Sequence, residues 1–358
     1  MRPVNLSADF NDRGGWGRHA RNFASALSKY VDVAVCGSNE TVAEDHKPDG
    51  DVCLSLPREP FKDGTGIALG SISTIPQTVG SPQIFSTVWE TSKVPEYYLQ
   101  RMQQTDQIWI PTEWGRQLFI DAGISPSSLK VVPEGVDSSL FTPAVRKYPH
   151  DRFRFVCVGK WETRKATAEL VRAYTMEFDA SENVELIMHC QNIYMAGLDI
   201  RKAILSAVYS ENCNPPKILF SRHCALDQLI QLMQQSDAFV LPTRAEAWGL
   251  PILEAMSCGL PCIVTDYGGH RAFANDSNSY LIRNLGLCPV DDPINFKSEL
   301  DWGGWAQPDV DHLRQLMRHV FENRQEALQT GQKARRDAAE FWSWDKAAKK
   351  AWSHLSNI

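Results

Sequence analysis

Asp237-Ala-Phe-Val-Leu-Pro-Thr-Arg-Ala-Glu246-Ala-Trp-Gly-Leu-Pro-Ile-Leu-Glu254-Ala-Met-Ser-Cys-Gly-Leu-Pro-Cys262-Ile-Val-Thr-Asp-Tyr-Gly268-Gly269 holds the strongest structural signal in the chain. The apolar run Ala238–Leu241 has the character of a parallel strand buried on both faces. A polar loop carrying Glu246 follows. Pro251 suits the first residue of a helix, where its missing N–H costs nothing. Gly259 ends that helix, and Leu260-Pro261 leads into a second apolar strand, Cys262–Thr265. The unit is therefore strand–loop–helix–strand, with one carboxylate in the loop and a second, Glu254, in the first helical turn. In an open parallel sheet, ligands bind at loops leaving the strand C-termini. A helix N-terminus there favours phosphate, and a nearby carboxylate is suited to accept hydrogen bonds from sugar hydroxyls.

Working outward, the 358 residues suffice for two ordinary domains with full cores. The chain is 43% apolar and 22% charged, as expected of a globular protein. Its net charge of −6 is spread evenly. Residues 1–150 hold 14 basic and 17 acidic side chains, and the remainder hold 23 and 26. Neither half is basic, which argues against a nucleic-acid backbone or an anionic membrane as a strongly bound partner, while leaving room for a small basic patch. Nine scattered cysteines, several inside apolar runs (Cys36, Cys157, Cys262), read as buried reduced thiols in a cytoplasmic protein. Cys258 and Cys262 lack the matching pair a zinc site needs. No signal peptide and no run of transmembrane length is expected.

Taken in order, a short strand at residues 3–8 leads into the loop Asn11-Asp12-Arg13-Gly14-Gly15-Trp16-Gly17. A helix over 17–29 follows, with Ala20, Phe23, Ala24 and Leu27 on one face, and then a strand, Val31–Cys36. This βαβ unit is friendly to phosphate, although a Gly-Gly pair alone also fits a plain tight turn. Residues 40–82 are rich in Gly, Pro, Ser and Asp and show no placeable pattern. Strands follow at Gln83–Trp89, Asp106–Ile110 and Leu129–Val132, with a helix at Pro95–Thr105 and, after Pro111-Thr112-Glu113-Trp114-Gly115, another to about Ala122. Residues 142–152 read as a linker. A second series begins with the strand Phe153–Val158. It continues through a helix at about 166–175, strands at Val184–Met188 and Lys217–Phe220, and a helix at Leu226–Gln235. Beyond Tyr280 the pattern weakens until a helix near 309–328. Asp309 and Asp311 read as helix N-terminal acids rather than metal ligands. Ser343 is the expected N-cap of a last helix, Trp344–Leu355. The fold class is α/β, with two doubly wound Rossmann-like domains, 1–145 and 152–342, facing a cleft. Residues 344–357 are expected to pack back onto the first domain. The Gly14–Gly17 loop and the Glu246–Glu254 loop are expected at that cleft.

These motifs together resemble the retaining glycosyltransferases of the GT-B fold, specifically the large family four that takes nucleotide-sugar donors. The resemblance covers nearly the whole chain. Its most specific part is Glu246-x7-Glu254 framed by Gly249-Leu250-Pro251. Gly14-Gly15-Trp16-Gly17-Arg18, Gly159-Lys160 through Lys165, Val132-Pro133-Glu134-Gly135-Val136-Asp137 and Gly268-Gly269 add to it. The resemblance implies a nucleoside diphosphate sugar as co-substrate, with no cofactor and no metal. It implies that Lys160 and Lys165 neutralise the leaving diphosphate, helped by the helix from Pro251 and the amides of Gly249 and Leu250. Glu254 would accept from the ribose hydroxyls, and Glu246 would hold the transferred sugar. Gly15, with Trp16 beside it, would bring a backbone N–H close to the donor.

The chain departs from the family at several positions: Lys160 where Arg is frequent, Ala166 where Gly is frequent, Ala272 where an acid is frequent, and Glu90 where many members have His. Glu90 fits either a contact to acceptor or sugar, or a cap of the following turn. Of eleven tryptophans, Trp16, Trp89, Trp114 and Trp161 lie near expected site loops. One or two could stack on sugar, and the rest belong to core or wall. The implied activity is transfer of a hexose-type sugar from a UDP- or GDP-sugar to a glycan acceptor, lipid-linked or free, with at most peripheral membrane contact. Alternatives are transfer to a protein or modified nucleic-acid base, a sugar-nucleotide epimerase, or a non-catalytic binding module on the same fold.

Overall fold

The computed structural model describes residues 2–12, 14–37, 52–71, 78–144, 151–192, 195, 197–209, 212, 214–221, 224–292, 294–297 and 299–358. The chain divides into two compact units. The first comprises Met1–Val136, Leu300–Trp302 and Phe341–Ile358, and the second Asp137–Glu299 and Gly303–Glu340. Most of the expected linker, residues 145–150, lies outside the described residues.

In the first unit the elements run β1 (Val4–Ser7), α1 (Gly15–Leu27), β2 (Val33–Cys36), β3 (Thr65–Leu69), β4 (Gln83–Ser86), α2 (Glu96–Met102), β5 (Gln107–Ile110), α3 (Glu113–Asp121) and β6 (Leu129–Val131). The sheet order is β2-β1-β3-β4-β5-β6, every neighbouring pair parallel. β1 is buried along its whole length, as a strand covered on both faces must be. The stripe Ala20, Phe23, Ala24, Leu27 of α1 is buried. Burying a side chain such as Phe23 contributes about 1.5–3 kcal/mol. Thr112 caps α3 by accepting from Gly115 N at 3.0 Å.

The second unit runs β7 (Phe153–Val158), α4 (Thr167–Glu177), β8 (Val184–His189), α5 (Ile200–Ala207), β9 (Lys217–Phe220), α6 (Leu226–Gln234), β10 (Ala238–Leu241), α7 (Leu250–Ser257), β11 (Cys262–Thr265), β12 (Tyr280–Ile282), β13 (Asn284–Pro289), β14 (Gly304–Pro308), α8 (Val310–Glu322) and α9 (Arg324–Phe341). Its main sheet, β12-β11-β10-β7-β8-β9, is also parallel. The strand order reverses between β7 and β10, so the loops leaving those two strands flank the switch point where such sheets bind ligands. β13 and β14 form a separate antiparallel ribbon. The last helix, α10 (Trp344–Leu355), belongs to the first unit.

Three features differ from the sequence expectation. The unplaced stretch 40–82 contains β3, a central strand whose Gly-Ile-Ala core is flanked by Gly and Ser. The weak region beyond Tyr280 holds β12 and the ribbon, whose Leu285 and Leu287 are exposed and therefore show no inward period. The helix near 309–328 is two helices parted at Asn323, and the second continues to Phe341. Asp309 does cap α8, accepting from His312 N at 3.0 Å.

In the first unit α10 is docked tightly. Ser343 caps it, accepting from Lys346 N at 3.3 Å. Val136 N donates to Trp342 O at 2.8 Å, and a side chain at Gly135 would collide with the Ser343–Trp344 backbone. His19 of α1 lies under this contact, its ring 5.4 Å from Trp344 and 5.8 Å from Phe23. Its Nδ1 is 3.5 Å from Glu134 Oε1. Burial lowers the His19 pKa to about 3, so at neutral pH the imidazole is uncharged and this contact is not an ion pair.

The unfolded chain, with an ordinary histidine, binds a proton from about pH 6.5 downward that the folded chain refuses. Stability contributed by neutral His19 is therefore full above about pH 6.5 and declines as pH falls toward 3. Urea unfolding at pH 5.5 and 7.5 is expected to show a loss of about 1 kcal/mol from this residue, and His19→Gln removes that part of the slope.

Candidate functional site

The site of the second unit is built from the loops after β7 and β10. After β7 the chain turns through a short 3-10 segment, Thr163–Lys165, and enters α4 by way of Ala166 in the left-handed region (φ 50°, ψ 38°). That is the position where glycine would carry no steric cost. The turn tucks Arg164 and Lys165 inward, leaving them 8% and 7% exposed. After β10, Glu246 is buried beside them. Lys165 Nζ donates to Glu246 Oε1, and Arg164 Nη1 stands 3.7 Å from Glu246 Oε2.

The two loops are laced by hydrogen bonds. Arg244 N donates to Arg164 O at 2.7 Å. Arg164 Nη1 donates to Ala245 O at 2.8 Å and Nη2 to Glu162 Oε1 at 2.7 Å. Thr243 Oγ1 reaches both Arg164 O and Ala245 O. Burial opposes ionisation of Glu246, yet the charges of Lys165 and then Arg164 outweigh it and hold the carboxyl below its ordinary range.

Gly268 and Gly269 have a mechanical reason. Gly268 has φ +96°, and a side chain at Gly269 would strike Ala247 O. The close approach lets Gly269 N donate to Glu246 O at 2.7 Å. His270, next in the chain, is fully buried. Its Nε2 lies 2.7 Å from Thr265 O; a carbonyl only accepts, so Nε2 carries the proton. Burial first of all lowers its pKa, against the pull of Glu246.

Gly249 caps α7 in the left-handed region, φ +99°, so Leu250 is the first helical residue and Pro251 the second, one place later than the sequence suggests. The far end closes as expected: Gly259 at φ +79°, with Gly259 N to Met256 O and Leu260 N to Ala255 O, the Schellman pattern. Glu254 is the fifth helical residue, in the second turn rather than the first, and is 2% exposed.

Lys165, Glu246, Gly249 and Leu250 are thus gathered at the switch point. Lys160 is half-buried just after β7, where Gly159 N and Trp161 N bond to His189 O and Cys190 O. Gly15, Trp16 and Glu90 belong to the first unit. Glu90 follows Trp89, which is core: 6% exposed, with its ring 5.8 Å from Trp302. Arg164 and His270 were missed. In sequence each reads as one more polar residue beside a glycine motif or a lysine, and only packing reveals their place.

The glycine loop of the first unit carries its own anion. Asp12 Oδ2 accepts from Gly14 N and Gly17 N, both at 3.0 Å, so those two amides are not offered to a phosphate. Arg21 Nη1 holds the loop through Phe10 O and Asp12 O.

Residues 143–284 match the family model described as Glycosyl transferases group 1. Over that segment the chain is similar to the group 1 glycosyltransferases, and its fold is GT-B. The matched segment contains Lys160, Arg164, Lys165, Glu246, Glu254 and His270. Solved structures share the fold over the whole chain at 14% identity. One is sucrose-phosphate synthase from Thermosynechococcus elongatus (TM-score 0.71, covering 100% of this chain and 99% of that one). Another is Anabaena HepE in complex with UDP-glucose (TM-score 0.69, covering 100% of both).

Among curated relatives, the GDP-mannose:cellobiosyl-diphosphopolyprenol alpha-mannosyltransferase of Xanthomonas campestris is 28% identical over 161 residues, 45% of this chain and 40% of that protein. The UDP-Gal:alpha-D-GlcNAc-diphosphoundecaprenol alpha-1,3-galactosyltransferase of Escherichia coli is 28% identical over 200 residues, 50% and 46% of the two chains. The match therefore spans less than half of each relative's length.

Two glycines of the first unit's loop should behave differently. A Cβ at Gly17 would collide with Asp12 O, whereas one at Gly15 meets open space. Gly17→Ala is expected to lose about 1–3 kcal/mol in denaturant unfolding. Gly15→Ala should stay within about 0.5 kcal/mol of wild type.

Proposed function

We propose that the protein is a retaining, metal-independent hexosyltransferase that moves a sugar from a UDP- or GDP-sugar to a glycan acceptor, lipid-linked or free. The observation that carries this reading is the buried Lys165–Glu246 pair at the β7/β10 switch point, beside the N-terminus of α7. An ammonium and a carboxylate so placed match the two halves of a sugar nucleotide. The ammonium answers the charge that grows on the departing diphosphate, and the carboxylate accepts from sugar hydroxyls. The amides of Gly249 and Leu250 add the positive end of α7.

Lys160 supplies a second cation for the diphosphate, and Glu254 accepts from the ribose. Gly15 and Trp16 are donor contacts proposed for the first unit, and Glu90 a contact to sugar or acceptor. The acceptor hydroxyl attacks from the face the diphosphate leaves, and a diphosphate oxygen takes its proton, which gives retention without a protein nucleophile. The names of the polyprenol-linked relatives support a glycan acceptor. The HepE complex supports a UDP-sugar donor for this fold. Among the described residues no helix is long and apolar enough to cross a membrane. We place the reaction in the cytoplasm, with at most peripheral membrane contact.

A thermal-shift panel of UDP, GDP, ADP and their sugars is expected to single out one nucleotide. At about 100 times its Kd that ligand adds about 2.7 kcal/mol, a shift of several degrees. No shift with any member contradicts the reading. Glu246→Gln and Lys165→Ala should each lower turnover at least about tenfold, a barrier increase of about 1.4 kcal/mol. Turnover at the wild-type rate in either variant removes that residue's role.

A further inference from the structure

Lys165 and Arg164 are adjacent in sequence and both approach Glu246, but they are held in opposite ways. The Arg164 guanidinium is committed on two sides, to Ala245 O and to the Glu162 carboxylate. Its backbone oxygen is clamped by Arg244 N and Thr243 Oγ1. It has no freedom to follow a ligand. The Lys165 ammonium hangs on a four-carbon stem, and among the described residues its side-chain hydrogen bond goes to Glu246. In the nucleotide-sugar reading, Lys165 must serve the diphosphate. That draws the ammonium away from Glu246 just when Glu246 must be ionised to accept from the sugar. A carboxylate buried to this degree, left alone, takes a proton.

We propose that Arg164 is a positioning residue: the fixed counter-charge that keeps Glu246 an acceptor when Lys165 turns from it to the diphosphate. This rests on the nucleotide-sugar reading above. The charged and titratable groups facing Glu246 are Lys165 and Arg164 from the turn after β7 and His270 from the turn after Gly269. Gly249, at the start of α7, faces it with no side chain. His270 is neutral, with its Nε2 proton spent on Thr265 O, and gives Glu246 no full charge. Arg164 is then the permanent cation that remains, because a guanidinium does not deprotonate in proteins. Lysine at position 164 would keep the charge but lose the forked bond to Ala245 and Glu162. A neutral residue would lose both.

The test is calorimetric titration of the intact protein with UDP-glucose or GDP-mannose, whichever binds, in buffers of different ionisation enthalpy. A sugar nucleotide has no titrating group near neutrality, so any proton taken up belongs to the protein. At about pH 6 the wild type should take up no proton on binding. R164Q should take up about half a proton or more per donor bound. R164K should take up none, and neither should the R164Q/E246Q double variant, which locates the proton on Glu246. A merely structural role for Arg164 would change affinity or melting temperature and leave proton uptake unmoved.

A folded, donor-binding R164Q with no uptake overturns the proposal, as does uptake by the wild type. Should R164Q not fold, the wild-type titration decides between those outcomes, and R164K must match it. If neither sugar nucleotide binds the wild type, the functional reading itself falls, and the proposal with it.

Discussion

A carboxylate that must stay charged inside the protein sets the terms for the second unit. Glu246 is 4% exposed, and an isolated ion there would cost several kcal/mol of desolvation. The surrounding structure answers that cost. The 163–165 turn brings two cations inward, and Ala166 accepts a left-handed conformation to make the turn. Gly268 and Gly269 let the backbone come close enough to bond the Glu246 carbonyl. Breaking such a pair by removing one partner is far more costly than never having built it. The glycines, the turn and the cations therefore depend on one another.

The parallel sheet explains why these parts meet. Residues 159–165 and 242–249 are far apart in sequence, but the reversal of strand order places β7 against β10. Their C-terminal loops become neighbours, and α7 starts at the same edge. The first unit has the same architecture with a different electrostatic choice. There the helix after β1 receives Asp12 at its first amides, so its N-terminus is already partly neutralised by the chain itself. The two glycine motifs look alike as text and differ as chemistry: one positions a carboxylate beside cations, the other fills its amides with its own carboxylate.

Much of this was legible in the sequence wherever burial is continuous. β10 and β11 are uninterrupted apolar runs between Pro and Gly signals, and β7 and β8 are long enough to read alone. β3 was hidden because its five residues begin Thr-Gly and sit in a stretch of loop-like composition. The β13–β14 ribbon was hidden because β13 exposes its leucines while β14 is buried at nearly every residue, so neither strand shows a period of two. The site divides the same way. The juxtaposition of Glu246 and Lys165 was foreshadowed by their motif frame, whereas Glu254 lies one helical turn further along than expected. Arg164 and His270 were not legible, because a buried polar residue is defined by its partners across space, and Thr163-Arg164-Lys165 reads in isolation as a solvated basic run.

In the proposed reaction a nucleoside diphosphate engages the loops after β7 and β10 and the start of α7. Amide hydrogen exchange of the intact protein, with and without saturating UDP or GDP, tests it most directly. Slowed exchange is expected at Gly159–Lys165 and at Gly249–Leu253, apart from Pro251, which has no amide hydrogen, with β9 and α9 unchanged. Protection confined to the Asp9–Gly17 loop, with Gly159–Lys165 and Gly249–Leu253 exchanging as in the free protein, would contradict it.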